Sequence, residues 1–146
     1  MERVRRERFS AGPAGEPLLP PPLTAAEARD RVTHLLGRHF GEAGRASPGD
    51  EVVVADALLV TSELATNAIR HAGGITAFRA RIHRDRLIVT VSDGSDAVPR
   101  RQELSTTGRS QPGGYGWALT CRLARRLVVT RHHGGGKSVT AHLPLL

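Results

Sequence analysis

The run from Asp50 to Ala72, closed by Gly73-Gly74, constrains this chain more than any other stretch. At about 100° per residue, Val53, Ala57, Val60, Leu64 and Ala68 form one stripe, widened by Val54, Leu58, Ala65 and Ile69. The two glycines are a helix C-terminal signal. A helix apolar around most of its circumference belongs in a domain centre. Yet Asp56, Glu63 and Asn67 share a narrow arc at its border, with Glu63 and Asn67 one turn apart. Such a carboxylate and carboxamide can hold a hydroxyl beside one oxygen and a hard cation beside the other. On its own the pair also reads as a solvated helix edge, so the rest of the chain has to decide.

Upstream, Thr24-Ala25-Ala26-Glu27 is a capping box that opens a helix to about Phe40, with Ala28, Val32, Leu35 and Leu36 inward. Residues 1–22 read as a flexible arm in which Arg3, Arg5, Arg6 and Arg8 lead into Pro20-Pro21-Pro22. Pro48 suits the start of the central helix. Beyond Gly74 the period becomes two. Thr76, Phe78, Ala80 and Ile82 alternate with Ala77, Arg79, Arg81 and His83, and Leu87 to Val91 follows as a more buried strand. Ala97 to Gly113 has no periodicity, and a loop of that length in a compact domain is more often functional than decorative. Tyr115 to Arg126 is helical again. Leu127 to Arg131 and Lys137 to Leu145 form a hairpin around His132-His133-Gly134-Gly135-Gly136. Short turns between adjacent strands mean antiparallel pairing, with the helices on one face. The expected fold is an α/β two-layer sandwich with a mixed, mostly antiparallel sheet, a single domain over 23–146.

Length and composition narrow the function classes. A chain of 146 residues can bury a core without staples, and one cysteine, Cys121, excludes an internal disulfide. The N-terminus lacks an apolar signal region and no apolar run approaches membrane-spanning length, so a cytoplasmic protein without membrane contact is expected. The net charge of +7 raises nucleic acid as a partner. However, Lys137 is the one lysine among 21 Lys and Arg, a skew that fits a genome rich in G and C, and the arginines are scattered. With 3% aromatics a base-stacking platform is poorly supplied, so no direct nucleic-acid contact is expected.

Several motifs fail on inspection. Gly134-Gly135-Gly136-Lys137-Ser138 is not a P-loop, because Arg131 stands where the first glycine is needed and a strand follows instead of a helix. His132-His133 lacks further ligands and reads as surface histidine. Ser62 and His71 sit in no nucleophile elbow. Two others carry chemistry. Asp93-Gly94 ends a buried strand, pairing a strong acceptor with a residue that lets a flat ligand approach the backbone. Gly113-Gly114-Tyr115-Gly116 opens a helix whose free N–H groups and dipole favour phosphate oxygens.

Taken in order, Glu63-x-x-x-Asn67, Asp93-x-Ser95, a long loop, Gly-Gly-x-Gly and Gly136-Lys137-Ser138 resemble the GHKL, or Bergerat-fold, ATP-binding domain of gyrase, large heat-shock chaperones, histidine kinases and MutL. Ser62-Glu63-Leu64-x-Thr66-Asn67-Ala68-x-x-His71-Ala72 and Val91-Ser92-Asp93-Gly94-Ser95 look like the stand-alone members, anti-sigma-factor serine/threonine kinases of partner-switching systems. The resemblance covers about Thr24 to Leu143. It implies ATP and Mg as cofactors, with Asn67 binding Mg²⁺ and Glu63 as general base. It also implies that Asp93 and Gly94 receive adenine, that Ser138 assists Asp93 through water in place of a threonine, and that Gly113, Gly114 and Gly116 contact phosphates. Ala97–Gly113 becomes an ATP lid with Arg100, Arg101 and Arg109 near the phosphates. The implied partners are a sigma factor and an anti-anti-sigma protein of the STAS type, and the relatives commonly form homodimers. This chain departs from the family in two places. In the loop after Asp93, Asp-x-Gly-x-Gly in the family, Asp96 and Ala97 leave Gly94 as the one glycine, and Trp117 stands where leucine is usual. The competing readings are a catalytically silent adaptor switched by ATP and ADP, and, less in keeping with the motifs, a basic nucleic-acid-binding module.

Overall fold

The computed structural model describes residues 19–42, 49–97 and 114–145. Their elements run α1 (Ala25–Glu42), α2 (Asp50–His71), β1 (Ile75–His83), β2 (Arg86–Asp93), α3 (Gly114–Leu123), β3 (Arg126–Arg131) and β4 (Lys137–Pro144). The strands form one sheet in the order β1-β2-β4-β3, and all three ladders are antiparallel. The chain therefore leaves β2, passes through α3 to the edge strand β3, and returns to place β4 in the gap beside β2.

Alternation along the strands decides which side the helices cover. Leu87, Val89 and Val91 of β2, Val129 of β3, and Val139, Ala141 and Leu143 of β4 all join Val32, Leu36, Ala57, Val60, Leu64 and Ala68 in one core cluster. The helices thus lie on one face, and the two-layer α/β sandwich is as expected. Among the described residues no strand pair is parallel.

Helix α1 starts where the capping box places it. The Glu27 N–H donates to Thr24 Oγ1 at 3.1 Å, and the Glu27 carboxylate accepts from the Leu23 N–H at 2.8 Å. Pro22 is fully buried and the Arg31 guanidinium donates to the Pro20 carbonyl. The last residues of the stretch read as an arm therefore pack onto the domain, while the basic segment and the Pro48 helix start lie outside the described residues. Helix α2 ends as the glycines require: Ala72 and Gly74 both donate to the Ala68 carbonyl, with Gly73 at φ 78° and Gly74 at φ 128°.

By length and composition alone α2 could span a membrane, contrary to the expectation that no run comes close. Its packing decides otherwise, since Ala57, Val60, Leu64, Ala65 and Ala68 are inside this domain. Strand β2 ends at Asp93, at the expected Asp93-Gly94 strand end, with Lys137 opposite it in the ladder. The end of α3 and the facing of Thr76 differ from the sequence reading. Helix α3 stops at Leu123 instead of Arg126, because the Arg125 N–H turns to the His142 carbonyl at 2.8 Å and starts β3. Thr76 is exposed rather than inward, because the β1/β2 register shifts between Ile75 and Ala77.

The stripe assignment of α2 is testable with two leucines. Leu64 is 3% exposed and Leu59 is 39% exposed. Leu64→Ala should cost about 2–5 kcal/mol in urea unfolding, whereas Leu59→Ala should stay within about 1 kcal/mol.

Candidate functional site

Helix α2 carries Glu63 and Asn67 one turn apart on its half-buried border. Neither side chain hydrogen-bonds to another described residue. Helix α3 packs against α2, and Trp117 enters the core cluster at 8% exposure, so its bulk fills core. That packing sets Gly116 directly against Glu63. A Cβ at Gly116 would overlap the Glu63 carboxylate. Glycine here is a steric requirement of the acid, and the acid lies against the first turn of α3, where backbone N–H groups are unpaired by the helix. The Thr120 hydroxyl holds this turn through a 2.8 Å bond to the Gly116 carbonyl.

The second cluster forms where β2 ends and β4 begins. Residues directly opposite in a ladder share a face. Asp93 faces Lys137 and Ser92 faces Ser138. Asp93 and Lys137 lie on the side of Val91 and Val139, toward the helices. Ser92 and Ser138 point to the opposite side. There the Ser138 hydroxyl bonds Ser92 Oγ at 2.6 Å and His132 Nε2 at 2.7 Å, all within the sheet's outer face.

Two expectations are corrected by this register. Ser138 does not stand beside the Asp93 carboxylate, because adjacent residues of a strand point to opposite faces; Lys137 takes that position. His132 is not a free surface histidine but half-buried and engaged with Ser138. Lys137 Nζ lies 2.9 Å from Asp93 Oδ1, and both side chains are 4% exposed. Removing one member of such a buried pair typically costs about 3–5 kcal/mol.

Hydrogen bonds fasten this corner. Lys137 Nζ also donates to the Ser95 carbonyl at 3.4 Å, the Ser95 N–H donates to Asp93 Oδ1 at 2.9 Å, and the Gly136 N–H donates to Asp96 Oδ1 at 2.9 Å. Asp96 thus uses its carboxylate to tie the start of that loop to the hairpin. Gly136, at φ 89°, lets the backbones meet: a Cβ there would sit 2.5 Å from the Asp93 carbonyl oxygen. Gly94 faces open space, with nothing within 4 Å of an added Cβ. Gly114 begins α3, while residues 98–113 of the proposed lid, with Gly113 and its arginines, lie outside the described residues.

Sequence reasoning missed Lys137 and Asp96. The one available signal for the first was its being the single lysine, and neither partner could be found without the β2–β4 register.

Among the described residues no group of His, Cys, Asp and Glu could cage a metal. Mg²⁺ does not need one, since it keeps waters and takes few protein oxygens alongside substrate phosphates. The half-buried Asn67 carboxamide, unengaged by described residues and beside an acid, fits such a partial ligand.

A four-stranded antiparallel sheet with helices on one face defines a two-layer α/β sandwich. The histidine kinase-like ATPase domain family matches residues 24–143, and the chain belongs to that family. Among solved structures, the histidine kinase domain of the blue-light activated histidine kinase EL346 from Erythrobacter litoralis is similar. It is 22% identical, with 93% of this chain and 70% of that chain covered and a TM-score of 0.47. The comparison with curated proteins gives no match.

The hairpin corner gives a paired test. Gly135 and Gly136 both have positive φ, at 108° and 89°, but only Gly136 approaches the Asp93 backbone. Gly136→Ala should therefore destabilise more than Gly135→Ala, by about 1–3 kcal/mol in chemical unfolding.

Proposed function

We propose that this chain is an ATP-binding regulatory protein of a partner-switching system: an anti-sigma factor that phosphorylates a serine or threonine of an anti-anti-sigma partner, using Mg-ATP. The observation that carries the reading is the Glu63 carboxylate lying against Gly116, which joins the acid of α2 to the glycine-rich start of α3. Membership of the histidine kinase-like ATPase family supports the nucleotide. The motif resemblance around Glu63, Asn67 and Asp93 supports the finer assignment, with a sigma factor and a STAS-type protein as partners in the cytoplasm and a homodimer as its assembly.

In this reading Asn67 holds Mg²⁺ through its carboxamide oxygen, and the ion neutralises charge on the phosphate oxygens. Asp93 accepts from the exocyclic amine of adenine beside Gly94. Gly114 and Gly116 present the first turn of α3 to the phosphates. Glu63 takes the proton from the partner's hydroxyl as that oxygen bonds to the γ-phosphorus and the bond to the departing ADP breaks. Phosphoryl transfer is mostly positioning and charge neutralisation, so a domain of this size suffices once the partner brings the nucleophile.

Three variants test the assignment. Asn67→Ala should sharply weaken Mg-ATP binding in calorimetry while the fold survives. Glu63→Gln should keep ATP affinity within a few-fold and lose transfer of labelled γ-phosphate to the STAS-type partner, by about 10²–10⁴-fold. Gly116→Ala should behave like Glu63→Gln in transfer, because its methyl displaces the carboxylate, the movable end of a flexible side chain. If the unmutated chain binds ATP but never labels the partner, the ATP/ADP-switched adaptor replaces the kinase.

A further inference from the structure

The ladder pairs preceding Asp93 and Lys137 on the helix-facing side are apolar: Leu87 with Leu143, Val89 with Ala141, and Val91 with Val139. An ion pair is not needed to continue that surface, and a buried pair seldom adds net stability over apolar residues of similar size. Yet here the chain's one lysine is buried at 3% exposure, among 21 Lys and Arg. It stands at the start of β4, opposite Asp93, the last residue of β2.

The donor and acceptor count leaves capacity at this place. An ammonium has three N–H donors. Lys137 has two described acceptors, Asp93 Oδ1 at 2.9 Å and the Ser95 carbonyl at a long 3.4 Å. Asp93 receives both of its described bonds, from Lys137 and from the Ser95 N–H, on Oδ1. Among the described residues nothing bonds to Oδ2. A charged donor and a charged acceptor are therefore neighbours, each with bonding capacity that no described residue takes up.

We propose that Lys137 is a base-specificity residue: its ammonium donates to N1 of adenine while Asp93 accepts from the adjacent 6-amine. This deepens the ATP reading and rests on it. Adenine presents an N–H donor beside a ring-nitrogen acceptor, the complement of Asp93 beside Lys137. Neutral Ser138, on the other face, plays no part in base recognition. Guanine offers the reverse order, a keto acceptor beside an N–H donor, and is the competing base.

The test is calorimetry on the full chain with Mg²⁺ and ATP, 1-deaza-ATP or GTP. The 1-deaza analogue keeps the 6-amine but replaces N1 by a C–H. The unmutated chain should bind it about tenfold or more weakly than ATP, the range for losing a hydrogen bond to a charged group. Lys137→Met should bind ATP and 1-deaza-ATP with equal affinity within a few-fold, a loss of discrimination that a merely structural lysine would not produce. Should Lys137→Met fail to fold, Lys137→Gln keeps a donor for Asp93 Oδ1, and its discrimination should drop to a few-fold. ATP binding with no preference over 1-deaza-ATP overturns the role of Lys137 and leaves the nucleotide reading intact, as does unchanged discrimination in the variants. GTP bound more tightly than ATP overturns the adenine assignment. Failure of the unmutated chain to bind any of the three overturns the nucleotide reading and the lysine's role together.

Discussion

Pairing β4 with β2, instead of leaving it beyond β3, is the constraint on which the rest of this molecule depends. Antiparallel pairing puts the last residue of one strand beside the first of the next, so Asp93 meets Lys137 at the sheet's end. The hairpin that delivers β4 then lies within hydrogen-bond reach of the loop leaving β2, and the Asp96 carboxylate and Gly136 N–H close the gap. Without that neighbour relation Asp93 would be a charged residue at the end of a buried strand with nothing to balance it.

The same crossover positions α3. The chain must travel from the end of β2 to the far edge of the sheet, and α3 covers the distance on the helical side, packed against α2. Trp117 supplies apolar surface to the core while Gly116, one residue earlier, leaves room for the Glu63 carboxylate. A large residue and the smallest one thus act together: the first anchors the helix, the second keeps its start open to the acid of α2. The proposed phosphoryl transfer would need this sort of fixed approach between elements, because little covalent chemistry falls to the protein in such a step.

The outer face of the sheet has a different character. Thr90 and Thr140 share a 2.9 Å hydrogen bond, and buried Ser92 and Ser138 with half-buried His132 form a polar row beside them. Cross-strand hydroxyl pairs of this kind stabilise a sheet by fractions of a kcal/mol, roughly 0.2–1 each. They engage Ser138 structurally, on the side away from Asp93. A serine that looked like a ligand partner in the chain is a strand pair in three dimensions.

Local rules acting within one element were legible in the residues alone. The helical stripe of α2, the Thr24 and Glu27 cap, the glycine stop after His71 and the strand alternation each depend on neighbours a few positions apart, where periodicity and capping geometry operate. Glu63 beside Asn67 could be read the same way, as one helical turn. What only the tertiary structure decided is which residues from distant segments face each other. A strand's two faces differ by a single residue, so choosing between Lys137 and Ser138 required the β2–β4 register. Likewise, Glu63 against Gly116 and Asp96 on Gly136 come from packing between segments separated by the loop and the crossover. Their spacing along the chain contains no trace of those contacts, because the packing of α3 on α2 brings the first pair together and the β2–β4 pairing the second.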